Sequence, residues 1–127
     1  MLTLRRVFVV HAVVVFAASI VLVVAPSVIP ATVGIVLEPK AYLLSYFLAA
    51  AELGLAFLSF GARDLTDPRA VRLVVRSFVV FHGATALLEV YAQRNHFEPV
   101  LVVNVLVRAG VIALLVIVGR RPYPEGR

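Results

Sequence analysis

Four long runs of apolar residues, separated by short polar connections, set the pattern of this 127-residue chain. The runs cover about residues 7–25, 41–60, 73–92 and 99–119. Each approaches the ~20 residues that a helix needs to cross ~30 Å of hydrocarbon. None alternates apolar and polar positions as barrel strands do, so the pattern predicts helices. We therefore expect an all-α polytopic membrane protein, with one four-helix transmembrane domain over residues 1–127.

Composition agrees with this pattern and excludes two classes of protein. Hydrophobic residues make up 62% of the chain and the mean hydropathy is +1.03, which is more apolar surface than a soluble domain of this length can bury. The net charge of +5 comes from arginines that flank the apolar runs, which indicates membrane topology and not nucleic-acid binding. The absence of cysteine excludes disulfides and thiolate metal sites.

The basic residues divide unequally between the two ends of the predicted helices. With a cytoplasmic N-terminus, the cytoplasmic side receives nine arginines, and the other side only Lys40 and Arg94. The positive-inside rule therefore predicts an up-down bundle in a bacterial inner membrane, with both termini in the cytoplasm. The nine are Arg5, Arg6, Arg63, Arg69, Arg72, Arg76, Arg120, Arg121 and Arg127.

Three charged residues interrupt the apolar runs at membrane depth: Glu52, Glu89 and Arg108. An ionised side chain there costs about 2.5–3.5 kcal/mol on insertion scales unless it is paired or hydrated, so we expect these groups to meet. Arg108 lies at a depth where either glutamate can pair with it, and His82 or Asn104 can add a hydrogen bond. The sequence leaves open which glutamate pairs, and whether the pair only fixes helix register, binds a ligand or proton, or faces a partner subunit.

A stripe of small and polar residues follows the second predicted helix at steps of three and four. Small residues let membrane helices approach closely, so this stripe is predicted to face inward and to take Glu52 with it. The stripe comprises Ser45, Ala49, Glu52, Ala56 and Ser59.

Two histidines suggest a further possibility. His11 and His82 differ in depth by about one helical turn, so they could ligate a haem between the first and third helices, although no cofactor is the simpler expectation. Arg72 and Arg76, four residues apart at the foot of the third helix, could hold an anionic lipid headgroup or simply anchor the helix.

Three segments carry a resemblance: AELGLAFLSFGARD (51–64), RSFVVFHGATALLEVY (76–91) and NVLVRAG (104–110). They resemble small four-helix bacterial membrane proteins of the DoxX-like kind and related domains of unknown function. The shared features are a glutamate–glycine element in the second helix, here Glu52 and Gly54, and an arginine in the fourth, here Arg108. The resemblance implies a compact inner-membrane bundle and no particular activity.

These observations favour a small integral membrane protein that is not an enzyme. It would be an accessory subunit of a larger complex, or a homo-oligomer that binds lipid or another ligand at its polar centre. One alternative is a proton-coupled transporter or channel. Another is an enzyme on a lipophilic substrate with Glu52 or Glu89 as acid–base and His82 assisting. The third is a bis-His haem protein.

Overall fold

The computed structural model describes residues 3–95 and 98–120, and this part of the chain is helical, with no strand. Helix α1 is Leu4–Val24, α2 is Val28–Thr32, α3 is Tyr42–Ala62, α4 is Pro68–Ala92 and α5 is Pro99–Gly119. A single 3₁₀ turn, Pro39–Ala41, leads into α3. Each of the four long helices is long and apolar enough to cross a membrane. For the second, the span includes the 3₁₀ turn and runs from Pro39 to Ala62. The predicted spans therefore correspond to α1, α3, α4 and α5.

Local sequence explains where two of the helices begin. The Asp67 carboxylate accepts hydrogen bonds from the backbone N–H groups of Arg69 and Ala70, and Pro68 occupies the first helical position, where its missing N–H does no harm. Helix α4 thus starts five residues before the predicted apolar span. Thr3 caps α1 in the same manner by accepting from the N–H of Arg6. These capped ends lie together at the end of the bundle that we call the N-terminal end.

Helix α1 packs closely along α3 through the predicted stripe of small residues. Ser45, Ala49, Ala56 and Ser59 are all buried. Three serine hydroxyls donate across this contact to backbone carbonyls: Ser45 to Pro26 at 2.6 Å, Ser19 to Ala49 at 3.0 Å and Ser59 to Phe8 at 2.9 Å. We call this contact the closed interface. The prediction that the stripe faces inward is confirmed.

The second pair, α4 with α5, meets the first pair mainly at the N-terminal end. There the start of α1, the end of α3, the start of α4 and the end of α5 share an apolar core. Phe8 and Phe78 meet edge to face in its centre, with ring centroids 6.1 Å apart. The core comprises Val7, Phe8, Ala62, Val71, Val74, Val75, Phe78, Leu115 and Val118. Away from this core the two pairs are separated by a cavity, and we call the contact between them the open interface.

At the opposite end, the connection between α1 and α3 folds over the bundle. The sequence predicts a bent or shallowly embedded loop here, and the structure places the short helix α2 in it. Gln93 at the end of α4 donates from Nε2 to the Val33 carbonyl at 2.7 Å. Gly34 adopts φ +76°, and a Cβ there would lie 3.3 Å from the Glu98 side chain, so the turn suits glycine on both counts.

The outward faces of the long helices are apolar. Phe57 is 83% exposed and Leu87 is 74% exposed, and many Val, Ile and Leu side chains are similarly uncovered. Such a surface is unfavourable in water and favourable in hydrocarbon. The exposed faces therefore agree with helices that lie in a lipid bilayer.

Candidate functional site

Glu89 of α4 and Arg108 of α5 form an ion pair within the second helix pair, beside the open interface. The Arg108 Nη2 group donates to Glu89 Oε1 at 3.0 Å, and Asn104 Nδ2 donates to Glu89 Oε2 at 2.9 Å. Both carboxylate oxygens thus accept from α5, and the side chains of the ion pair are about four-fifths buried. The structure answers the question that the sequence left open, since Glu89 is the glutamate that pairs with Arg108.

Two histidines continue the contacts of this ion pair toward the N-terminal end. Arg108 Nη1 lies 3.5 Å from His82 Nδ1, and His82 Nε2 lies 2.9 Å from His11 Nε2. His11 Nδ1 in turn lies 3.0 Å from the hydroxyl of Ser59. Both imidazoles are buried, and His11 also stacks on Phe78 with ring centroids 4.6 Å apart. One series of contacts, which we call the polar network, therefore links α5, α4, α1 and α3.

The direction of each hydrogen bond in this network follows from proton counting. Ser59 donates its one hydroxyl proton to the Phe8 carbonyl, so His11 Nδ1–H must donate to the Ser59 oxygen. A neutral His11 then accepts at Nε2, which makes His82 Nε2–H the donor between the two rings. A neutral His82 accepts at Nδ1 from Arg108. Every contact is satisfied with both imidazoles neutral and each in one defined tautomer.

A cavity of about 480 Å³ lies beside the polar network, between the two helix pairs. It extends from Val7 to Leu22 of α1, or about 22 Å at the helical rise of 1.5 Å per residue. Ile29 and Thr32 of α2, with Val33 directly after it, line one end. The walls are mostly aliphatic, and His11, Glu52, Thr85, His82, Glu89, Asn104 and Arg108 supply the polar groups. This central cavity therefore combines a long apolar wall with one polar region.

Glu52 differs from the other acid in this cavity. Its side chain is half-buried and lines the cavity, and within residues 3–95 and 98–120 it makes no hydrogen bond or ion pair, although Arg108 is close enough to act on it electrostatically. Arg108 has five N–H donors, of which one at Nη1 bonds to His82 and one at Nη2 bonds to Glu89; its buried Nε–H has no partner in the described part of the chain. The cavity thus offers one carboxylate, that of Glu52, without a bonded partner among the described residues.

The residues singled out from sequence divide into two groups in the structure. Glu52, His82, Glu89, Asn104 and Arg108 all line the central cavity together with His11. Arg72 and Arg76 lie apart from it, exposed near the start of α4, so a lipid-headgroup role stays a prediction.

Sequence reasoning missed Ser59 as a member of the polar network. Its place in the small-residue stripe identified it as a packing residue, and nothing in its spacing indicated a bond to His11. It also missed Gln93, whose side chain ties α4 to the loop beside α2.

The two candidate haem ligands bond directly to each other. Their rings meet edge to face with nitrogens 2.9 Å apart, whereas a metal ion between two imidazoles, each bound at about 2.0–2.1 Å as in zinc sites, needs roughly 4 Å. A haem between these rings would require them to separate. Among the residues that the structure describes, no three His, Cys, Asp or Glu side chains group to hold a metal. Haem ligation stays a prediction from sequence alone.

Comparison with known proteins gives no relative. No protein family, no curated protein and no solved structure matches this chain. The DoxX-like resemblance is therefore still a prediction, and function has to be argued from the site itself.

Proposed function

We propose that this protein is a non-catalytic integral membrane protein that holds a lipophilic ligand in its central cavity. The observation that carries the proposal is the cavity of about 480 Å³, apolar along most of its length, with polar side chains converging on one region. Ligand sites typically occupy about 300–1,000 Å³ and have this combination of apolar walls and a few placed polar groups. The two helix pairs are the walls, and the bond between His11 and His82 links them beside the cavity.

The proposal includes a topology. The helices form an up-down bundle in a bacterial inner membrane, with the N-terminal end in the cytoplasm. Support comes from the arginines near that end, which include Arg5, Arg63, Arg69, Arg72, Arg76 and Arg120, against Lys40 and Arg94 at the other end. Arg121 and Arg127, also counted for the cytoplasmic side, lie outside the described residues. Exposed apolar faces leave room for lipids, a second copy or a larger membrane complex.

The rival functions receive less support from the geometry. A proton relay along the polar network to Glu89 would have to pass through Arg108, whose guanidinium does not give up a proton in proteins. Of the two acid–base candidates for an enzyme, Glu89 is not free, because both of its oxygens already accept hydrogen bonds, and His82 bonds to His11 and Arg108 and not to Glu52. A binding role uses the cavity and requires neither proton transfer through Arg108 nor a free Glu89 carboxylate.

Native mass spectrometry of gently extracted protein tests the proposal. After extended washing in detergent, we expect one lipophilic molecule bound per chain in the wild type. In Ala18→Trp, an indole occupies the cavity wall, and we expect occupancy to fall by more than half. Ala17→Trp is the matched control, because the neighbouring residue is exposed and does not line the cavity.

Two results would overturn the proposal. The first is a wild-type protein that carries nothing after washing and takes up no lipophilic probe when one is supplied. The second is equal occupancy in the two tryptophan variants, since that would place the bound molecule on the outer surface. Thermal unfolding of both variants verifies that each remains folded.

A further inference from the structure

The charges around the central cavity do not balance. Two carboxylates, Glu52 and Glu89, face one guanidinium, and both histidines are satisfied as neutral rings. Glu89 already neutralises Arg108 at 3.0 Å. The excess is therefore one carboxylate, and its position is Glu52.

The hydrogen bonds already made around the cavity also single out Glu52. Arg108 uses Nη1 on His82 and Nη2 on Glu89, and each ring nitrogen of the two histidines has a partner. Among the carboxylates that line the cavity, the two oxygens of Glu52 make no hydrogen bond to a described residue, whereas both oxygens of Glu89 already accept one. A ligand head that offers N–H donors fits the Glu52 oxygens.

From these two observations we infer that the ligand is a lipophilic monocation with N–H donors, such as an alkylammonium, and that Glu52 is its counter-ion. The inference rests on the proposed function. A carboxylate without a partner inside apolar surroundings is costly, and a bound cation removes that cost. A fatty anion would instead approach two carboxylates, with the guanidinium of Arg108, the one in the described cavity lining, already paired. The aliphatic walls from Val7 to Leu22 hold the tail.

The net charge of the protein opposes a preference for cationic ligands. The chain carries a net charge of +5, so long-range attraction favours anions. A preference for cations would therefore have to arise inside the cavity, which makes ligand charge an informative variable.

Three probes that share one tail and differ in head charge test the inference: decylammonium, decanol and decanoate. Titration followed by native mass spectrometry gives the Kd of each one-to-one complex with the full-length protein. For the wild type we expect decylammonium to bind about ten- to a hundredfold more tightly than decanol, as a hydrogen-bonded charge pair implies, and decanoate to bind most weakly. Glu52→Gln should equalise decylammonium and decanol while leaving the Kd of decanol unchanged.

Glu38→Gln is the matched control, because it removes the same charge from an exposed residue that does not line the cavity. It should keep the full cation preference. Equal affinities in the wild type, a preference for decanoate, or a cation preference that survives Glu52→Gln would each overturn the inference while leaving the cavity as a binding site. Failure of all three probes to bind would instead count against the proposed function itself.

Discussion

The closed and the open interface use polar residues in opposite ways. Between α1 and α3, serine hydroxyls bond to backbone carbonyls and small residues bring the helices together. Between the two helix pairs, the ring of His82 in α4 bonds to the ring of His11 in α1, and a cavity remains beside this contact; the charged bonds of Arg108 join α5 to α4 within the second pair. Close packing needs only short hydroxyls, whereas long side chains hold helices apart. Where two histidine rings meet between the helix pairs, the pairs remain far enough apart to leave the cavity in which we propose that a ligand binds.

The largest effect that we expect comes from breaking the ion pair that joins α4 to α5 beside the open interface. Arg108→Leu leaves the Glu89 carboxylate buried without a cation and removes a donor from His82, so stability should fall by about 3–5 kcal/mol. Reversible unfolding in mixed detergent micelles measures the loss. Adding Glu89→Gln should restore most of it, because a neutral amide no longer needs the guanidinium.

The same experiment separates the two glutamates. Glu52→Gln in the Arg108→Leu background should rescue little, since Glu52 makes no direct bond to Arg108. Rescue by Glu52→Gln and not by Glu89→Gln would show that Arg108 pairs with Glu52 and not with Glu89. Arg94→Leu, which removes an exposed arginine at the opposite end, is the control for loss of charge alone.

A smaller effect distinguishes the packing of the two interfaces. Ala49→Leu adds three carbons to a residue that is 2% exposed in the closed interface, and such overpacking should cost about 1–3 kcal/mol. Ala18→Leu makes the same change on the cavity wall, where there is space, and should cost little or increase stability. Thermal unfolding of the two variants side by side measures the difference. Similar losses in both would mean that the open interface is as tightly packed as the closed one.

The sequence specifies the helices better than it specifies their mutual arrangement. Span positions follow from apolar length, and the start of α4 from the Asp67–Pro68 cap, so these could be predicted locally. The inward stripe of α3 could be read from its spacing, because small residues have one dominant use between membrane helices.

The partners within the site depend on how far each helix is rotated and shifted against its neighbours. Glu52 and Glu89 were equivalent candidates for Arg108 by depth, and only the placement of α4 directly against α5 decides for Glu89. His11 and His82 were expected at similar depth, but a direct bond between them requires α1 to face α4 at that level. Such rotations are set by the packing of the whole bundle, so they cannot be inferred from any short segment of the sequence.

The most direct test of the account is a nitrogen NMR measurement on the histidine side chains of the ¹⁵N-labelled protein in micelles, with His96→Gln to remove the third histidine. We expect His11 as the Nδ1–H tautomer, His82 as the Nε2–H tautomer, and a scalar coupling across the hydrogen bond between their Nε2 atoms. That coupling would show that α1 and α4 meet at the polar network beside the cavity. Two histidines with mixed tautomers and no coupling between them would contradict the convergence on which the proposed site depends.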